Sequence, residues 1–171
     1  QHLTLNEGFV VRFENEAKQA AHLAHPNIVA IIDYGHDNDE YFIAMEHIDG
    51  QNIKEILTRL NRLPLEIALL IGREVATGLK YAHSNGLIHR DIKPANLFIC
   101  RQGEDYDFVK VLDFGLVHTR RREFSEMDTR LTVDGMIAGT PAFIAPELAL
   151  GKGEVDGRAD LYALGCVAYW L

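Results

Sequence analysis

Apolar residues along the chain alternate between helical and strand spacing. Val10, Phe13, Ala17, Ala20 or Ala21, and Ala24 form one stripe, so residues about 9–24 read as a helix. His25-Pro26-Asn27 breaks it, and Ile28–Tyr34, rich in β-branched residues, reads as a strand. Gly35–Glu40 reads as a polar turn and Tyr41–Glu46 as a second strand, which makes an antiparallel hairpin; His47–Gly50 reads as a connector. A short helix follows at about 52–60. Pro64 opens a long one reaching about His83, with Ile67, Leu70 or Ile71, Val75, Leu79 and Ala82 facing inward and Asn85-Gly86 as its stop. Short strands at Leu97–Cys100 and Val109–Leu112 flank a turn. Leu116 to Gly139 has no periodicity, and loops of that length in compact domains are usually functional. Pro146–Leu150 reads as a turn or two of helix. Asp160 begins a buried helix with Leu161, Leu164, Ala168 and Leu171 on one stripe. Strands dominate before residue 50 and helices after it. The expected fold is α+β in two lobes, 1–47 and 48–171, joined at Glu46–Gly50.

Composition narrows the classes. A chain of 171 residues can bury one sizeable core, and its hydrophobic fraction of 47% and charged fraction of 25% are those of a soluble globular protein. The formal net charge of −8 argues against a general nucleic-acid binder, which must neutralise phosphates with Lys and Arg. A nucleotide needs only a local site. Cys100 and Cys166 fit neither a metal spacing nor a disulfide framework and are expected to be buried thiols in a reducing compartment. No apolar run approaches the ~20 residues of a membrane span. No signal peptide is evident, so a cytoplasmic setting without membrane contact is expected. The chain opens at Gln1 without an initiator Met and stops at Tyr169-Trp170-Leu171 inside a helical pattern, so it is expected to be a piece of a longer protein.

The densest chemistry lies in His89-Arg90-Asp91-Ile92-Lys93-Pro94-Ala95-Asn96, followed at once by the apolar run Leu97-Phe98-Ile99. A polar cluster running into a short strand reads as a loop held at a sheet edge. Such a loop can aim Asp91, Lys93 and Asn96 at one point: a proton acceptor, a phosphate contact and a metal ligand. A lone Asp in such a place is usually a solvated turn. The whole octet at this spacing points to a phosphate site.

With the pieces placed, the chain resembles a eukaryotic-like (Hanks-type) protein kinase of the Ser/Thr branch, in a bacterial style, over the middle two-thirds of that domain. The matching motifs are His-Arg-Asp at 89–91, Lys93, Asn96, Asp-Phe-Gly at 113–115 and Ala-Pro-Glu at 145–147, in the family's order. Gly139-Thr140 resembles the substrate-side loop, Asp160–Gly165 the anchoring helix, and Phe13–Ala17 the end of the helix carrying the ion-pair Glu. The resemblance implies a two-lobed kinase fold, here with a partial first lobe and most of a helical second lobe. It implies ATP and Mg²⁺ as cofactors and Ser/Thr protein substrates. Asp91 would orient the acceptor hydroxyl; an unperturbed Asp, with a pKa of ~3.9, is a weak base at neutral pH, so positioning comes first and proton transfer late. Lys93 would contact the γ-phosphate, and Asn96 and Asp113 would hold Mg²⁺. Phe98 would floor the adenine, Glu46 and Ile48 would offer it backbone groups, Met45 would limit access behind it, and Glu16 would be the ion-pair Glu. Lys93 and the Gly139-Thr140 segment favour Ser/Thr over Tyr acceptors. No Gly-rich loop and no strand Lys precede Glu16, and the family's last helices are absent, so the 171-residue piece alone is expected to be inactive.

In the family, an Arg placed as Arg90 is pairs with a phosphorylated residue of the loop between Asp113 and Glu147. Thr132, eight residues before Thr140, is the expected autophosphorylation site, with a homodimer as the setting. His89 is expected to be a packed histidine beneath Asp-Phe-Gly. A pseudokinase scaffold is the main alternative; Asp91, Lys93, Asn96 and Asp113 argue against it. A small-molecule phosphotransferase of the aminoglycoside type would lack Lys93 and the Ala-Pro-Glu segment.

Overall fold

A computed structural model describes residues 7–37, 40–103, 105–114, 141–150 and 155–171. Helix α1 (Glu7–Ala21) leads into an antiparallel hairpin of β1 (Ile31–Asp37) and β2 (Glu40–Met45). The helix buries Ala17 and Ala20, with Leu23 just past its end; Ala24 lies exposed. The hairpin starts later than the β-branched run suggested and also extends further. Gly35, His36 and Asp37 pair with Phe42, Tyr41 and Glu40 rather than turning. Cross-strand contacts hold that register: the His36 and Tyr41 rings lie 4.8 Å apart, and the Phe42 ring covers Gly35.

Ile28 and Val29 are buried outside the hairpin. Ile28 bridges Val111 in parallel, and the Val29 N–H donates to Val111 O at 3.0 Å. Buried Asn27 locks this segment: its Nδ2 donates to Val109 O (2.8 Å) and Glu74 Oε2 (3.1 Å), and its carbonyl accepts from Val111 N (2.9 Å).

A second sheet runs β3 (Gly50–Asn52), β4 (Leu97–Gln102), β5 (Asp105–Val111), all antiparallel. β3 lies where a connector was expected. Gly50 permits it, because a Cβ there would sit 2.3 Å from Ile99 O and 2.7 Å from Cys100 Cα. Asn52 then caps α2 (Ile53–Leu60): its side chain accepts from Glu55 N at 2.9 Å while the Glu55 carboxylate accepts from Asn52 N at 3.3 Å.

Helix α3 (Leu65–Ser84) is the central beam. Ile71, Val75, Leu79 and Ala82 are buried at helical spacing, so Ile71 and not Leu70 takes the inward position. Each large aliphatic side chain so buried contributes ~1.5–3 kcal/mol. Gly86, at φ +76°, ends the helix as expected.

Short α4 (Pro146–Leu150) precedes α5 (Arg158–Trp170). The inward stripe of α5 differs from expectation. Ala159, Asp160, Ala163 and Val167 are buried; Leu164 and Leu171 are partly buried and pack against the core as expected, whereas Leu161 is 55% exposed and Ala168 is exposed. Small side chains let α5 lie close to α3, and the pattern of bulky residues concealed a buried carboxylate. Cys100 is buried and Cys166 only half-buried; both thiols are free, and burial pushes that of Cys100 up. Among the described residues no helix is long and apolar enough to cross a membrane.

Candidate active site

The loop between α3 and β4 is built on buried His89. Its Nδ1 accepts from the Asp91 N–H at 3.2 Å, and its Nε2–H donates to Leu112 O at 2.8 Å. Those two bonds require the neutral ring. Burial holds its pKa below the usual imidazole range and outweighs the opposing charge of Asp160 and the bond to Leu112. The Phe114 ring packs on His89 at 4.7 Å, as expected for a histidine beneath Asp-Phe-Gly.

Asp160 holds the loop from below. Fully buried on α5, it accepts from His89 N (2.8 Å), Arg90 N (2.7 Å) and His83 Nε2 (2.8 Å). Arg90 sits at φ +66°, a left-handed conformation unfavourable for a side chain with a Cβ. The Arg90 N–H bond to Asp160 holds it there and leaves the side chain exposed. Sequence reasoning placed Asp160 only as the start of a helix. Its signal was an acid opening an apolar stretch.

Above this base three of the expected residues meet. Asp91 Oδ2 accepts from Lys93 Nζ at 2.5 Å and from Asn96 Nδ2 at 3.1 Å, and Asn96 Nδ2 also donates to Asp91 O at 2.9 Å. Both partners of that amide nitrogen are acceptors, which fixes the amide's orientation and makes Asn96 Oδ1 its acceptor oxygen. The turn Pro94–Asn96 buries Pro94 and Asn96 and so holds the amide in place. Leu112 N donates to Asn96 O at 2.9 Å, which brings Asp113 alongside. Asp113 adopts φ +64° and is half-buried.

The residues expected around adenine lie at the end of β2 (Met45), just after it (Glu46, Ile48) and on β4 (Phe98). Met45, Ala20, Leu112, Asp113 and Phe114 help line a cavity of about 20 Å³, room for one water. Phe98 is half-buried and directly opposite Lys110 in the β4–β5 register. Glu46 and Lys110 form an ion pair that sequence reasoning missed, with Nζ 2.6 Å from Oε1. A Lys between two valines in a strand looks solvent-facing, yet Lys110 is 7% exposed. Burial alone would raise the Glu46 carboxyl; the bonds from Lys110 and Ala30 N, with the Lys110 charge, more than offset that and hold it below the usual carboxylate range. Ile48 is half-buried just after β2, and Glu16 is half-buried on α1 beside Ala17. Gly115, Thr132, Gly139 and Thr140 lie outside the described residues.

A family model described as a protein kinase domain matches residues 6–171. The chain is 40% identical over 170 residues to the serine/threonine-protein kinase pkn3 of Myxococcus xanthus, covering 99% of this chain and 30% of that protein. It is 39% identical over 180 residues to the tyrosine-protein kinase MasK of the same species, covering 98% and 26%. A crystal structure of the Mycobacterium tuberculosis PknI kinase domain superposes with a TM-score of 0.71 at 34% identity, covering 95% of this chain and 55% of that one. The chain thus spans less than a third of the curated relatives and about half of a solved kinase domain.

Proposed function

The chain belongs to the protein kinase family, and from that premise we propose that the protein carrying it transfers the γ-phosphoryl group of ATP to Ser and Thr hydroxyls of protein substrates. The observation that carries this reading is the cluster on Asp91, in which Lys93 and Asn96 share one carboxylate oxygen. With Oδ2 so engaged, Oδ1 is the oxygen that orients the acceptor hydroxyl and takes its proton as the hydroxyl oxygen bonds to the γ-phosphorus and the bond from that phosphorus to the bridging oxygen breaks, releasing ADP. Lys93, within reach of Asp91, supplies a positive charge for the γ-phosphate. Asp113 and Asn96 Oδ1 would hold Mg²⁺. Among the described residues no cluster of three or more His, Cys, Asp or Glu could hold a metal. Phosphate oxygens of the nucleotide and water would supply the remaining ligands, the pattern Mg²⁺ prefers. Bound with the nucleotide, Mg²⁺ neutralises charge on the transferring phosphate.

Glu16 would anchor the nucleotide's ion-pair partner, with Met45, Glu46, Ile48 and Phe98 around the adenine. Residues 1–47 and 48–171 would form the two lobes. The exposed Arg90 side chain suits a phosphate on Thr132, placed there by autophosphorylation within a homodimer in the cytoplasm; mass spectrometry of active protein finding no phosphate between residues 116 and 139 would sink that part. The 171-residue chain alone is held to be inactive.

The test, on the full-length protein carrying this chain, is transfer of labelled phosphate to a Ser/Thr-rich protein, followed by phosphoamino-acid analysis, which matters because relatives named for both acceptor classes are similar. Asp91→Asn is expected to lower kcat by about 10²–10⁴-fold. Nucleotide binding without transfer by the wild type would mark a scaffold instead.

A further inference from the structure

We propose that Lys110 is a positioning residue for the nucleotide, locking the Glu46 segment to the strand that leads to Asp113. The inference rests on the reading of this cleft as an ATP site. Lysine is almost never fully buried unless paired, and Lys110 is buried with its Nζ 2.6 Å from Glu46 Oε1. That same oxygen accepts from the Ala30 N–H at 2.8 Å, and the Glu46 N–H donates back to Ala30 O at 2.9 Å. Three chain segments therefore meet at Glu46: the connector before β1, the end of β2 and the end of β5.

The placement gives the contact its consequence. Lys110 lies three residues before Asp113 on the same chain segment. It is also directly across from Phe98, and directly opposed residues of an antiparallel pair share a face. Glu46 follows Met45, which lines one cavity with Asp113. The ion pair thus fixes the distance between the segment that would receive adenine and the segment that would receive the phosphates through its metal. Two separated halves of one ligand need such a fixed spacing, because a loose frame must be ordered at binding.

A mere packing role and a positioning role separate in kinetics. In the native protein, Lys110→Met is expected to raise KM for ATP and Kd for ADP, by calorimetry, about tenfold, the equivalent of one lost bond of ~1.4 kcal/mol. KM for the protein substrate and kcat should stay within about threefold. Lys110→Arg, which keeps the charge and a donor, should recover most of the loss. If Lys110→Met folds poorly, Glu46→Gln measures the same link: it keeps an oxygen for Ala30 N and removes only the charge, and weaker ADP binding at unchanged protein-substrate KM supports the proposal. Wild-type ADP affinity in both Lys110→Met and Glu46→Gln overturns it. So does a parallel fall in kcat, both KM terms and stability that Lys110→Arg does not repair. A wild type that binds no nucleotide defeats the ATP-site reading itself, and this inference with it.

Discussion

Asp160→Asn tests whether one buried carboxylate holds the catalytic loop. The native side chain accepts three hydrogen bonds on two oxygens: His83 Nε2 and His89 N on Oδ2, and Arg90 N on Oδ1. An asparagine has one acceptor and one donor, and its best orientation keeps the Oδ2 pair. Its NH₂ group then confronts the Arg90 N–H. The loss comprises one charge-assisted bond, ~1.5–3 kcal/mol, together with the desolvation of a half-buried N–H left without a partner. Allowing for overlap between the two, the expected loss is about 2–4 kcal/mol. Because that bond also holds Arg90 in its left-handed conformation, the loop around Asp91 should loosen and kcat should fall with stability. His83→Ala removes one bond to a partly exposed ring and should cost only about 1 kcal/mol. Urea denaturation of the whole kinase domain, compared at equal m-values, provides the assay. If Asp160→Asn lies within 0.5 kcal/mol of wild type (roughly the scatter of neutral substitutions), or matches His83→Ala, the account of the loop is wrong.

The remaining predictions address other joints. Gly50→Ala places a Cβ against the Ile99 carbonyl and the Cys100 backbone, neither of which can swing aside, and should destabilise by about 2–3 kcal/mol on a thermal melt; a melt within a degree of wild type would show that β3 is not built on this approach. His89 and His25 are both held below their ordinary pKa by burial, so the folded state binds fewer protons than the unfolded chain. Their contribution to stability is therefore complete above pH ~6.5 and falls as pH drops below it, by up to ~1.4 kcal/mol per pH unit for the buried His89 and by less for the more exposed His25; His89→Gln should start less stable and show a shallower slope between about pH 5 and 6.5, and an unchanged slope would assign the loss elsewhere. Glu46 has a lowered carboxyl pKa, so its contribution is present above its unfolded value of ~4.5 and vanishes only below it. Acid unfolding of Lys110→Met should therefore be flatter than wild type below pH ~4.5 and parallel to it above.

Local grammar made most of the elements legible. Helix α3 carries its own stripe and a Gly stop, so its length and inward face followed from spacing, with only the choice of Ile71 over Leu70 left to packing. The octet from His89 to Asn96 was legible for a related reason: Asp91, Lys93 and Asn96 lie within five positions, so a short turn keeps them within reach of one another, whereas the distant Asp160 that holds the loop was not legible. The misses share the opposite cause. β3 exists because Gly50 lets a distant strand approach, and nothing near residue 50 announces Ile99 or Cys100. α5 was read half correctly: Leu164 and Leu171 pack on the core, while Leu161 and Ala168 face outward and the close packing against α3 takes Ala159, Ala163 and Val167 instead.

Buried charge is the sharper case. Asp160 and Lys110 look like surface residues by type, and each becomes an interior residue only through partners 71 and 64 positions away in sequence. A charge left unpaired in the interior is costly enough that such a residue is retained only where the partner is firmly held. The two therefore mark where separate segments must keep a fixed relation. One fixes α5 to the loop bearing Asp91, and the other fixes the end of β2 to the strand leading to Asp113. The phosphoryl transfer proposed above depends on spacing among groups that do little covalent work themselves, so these two buried charges would set that spacing for the motif residues.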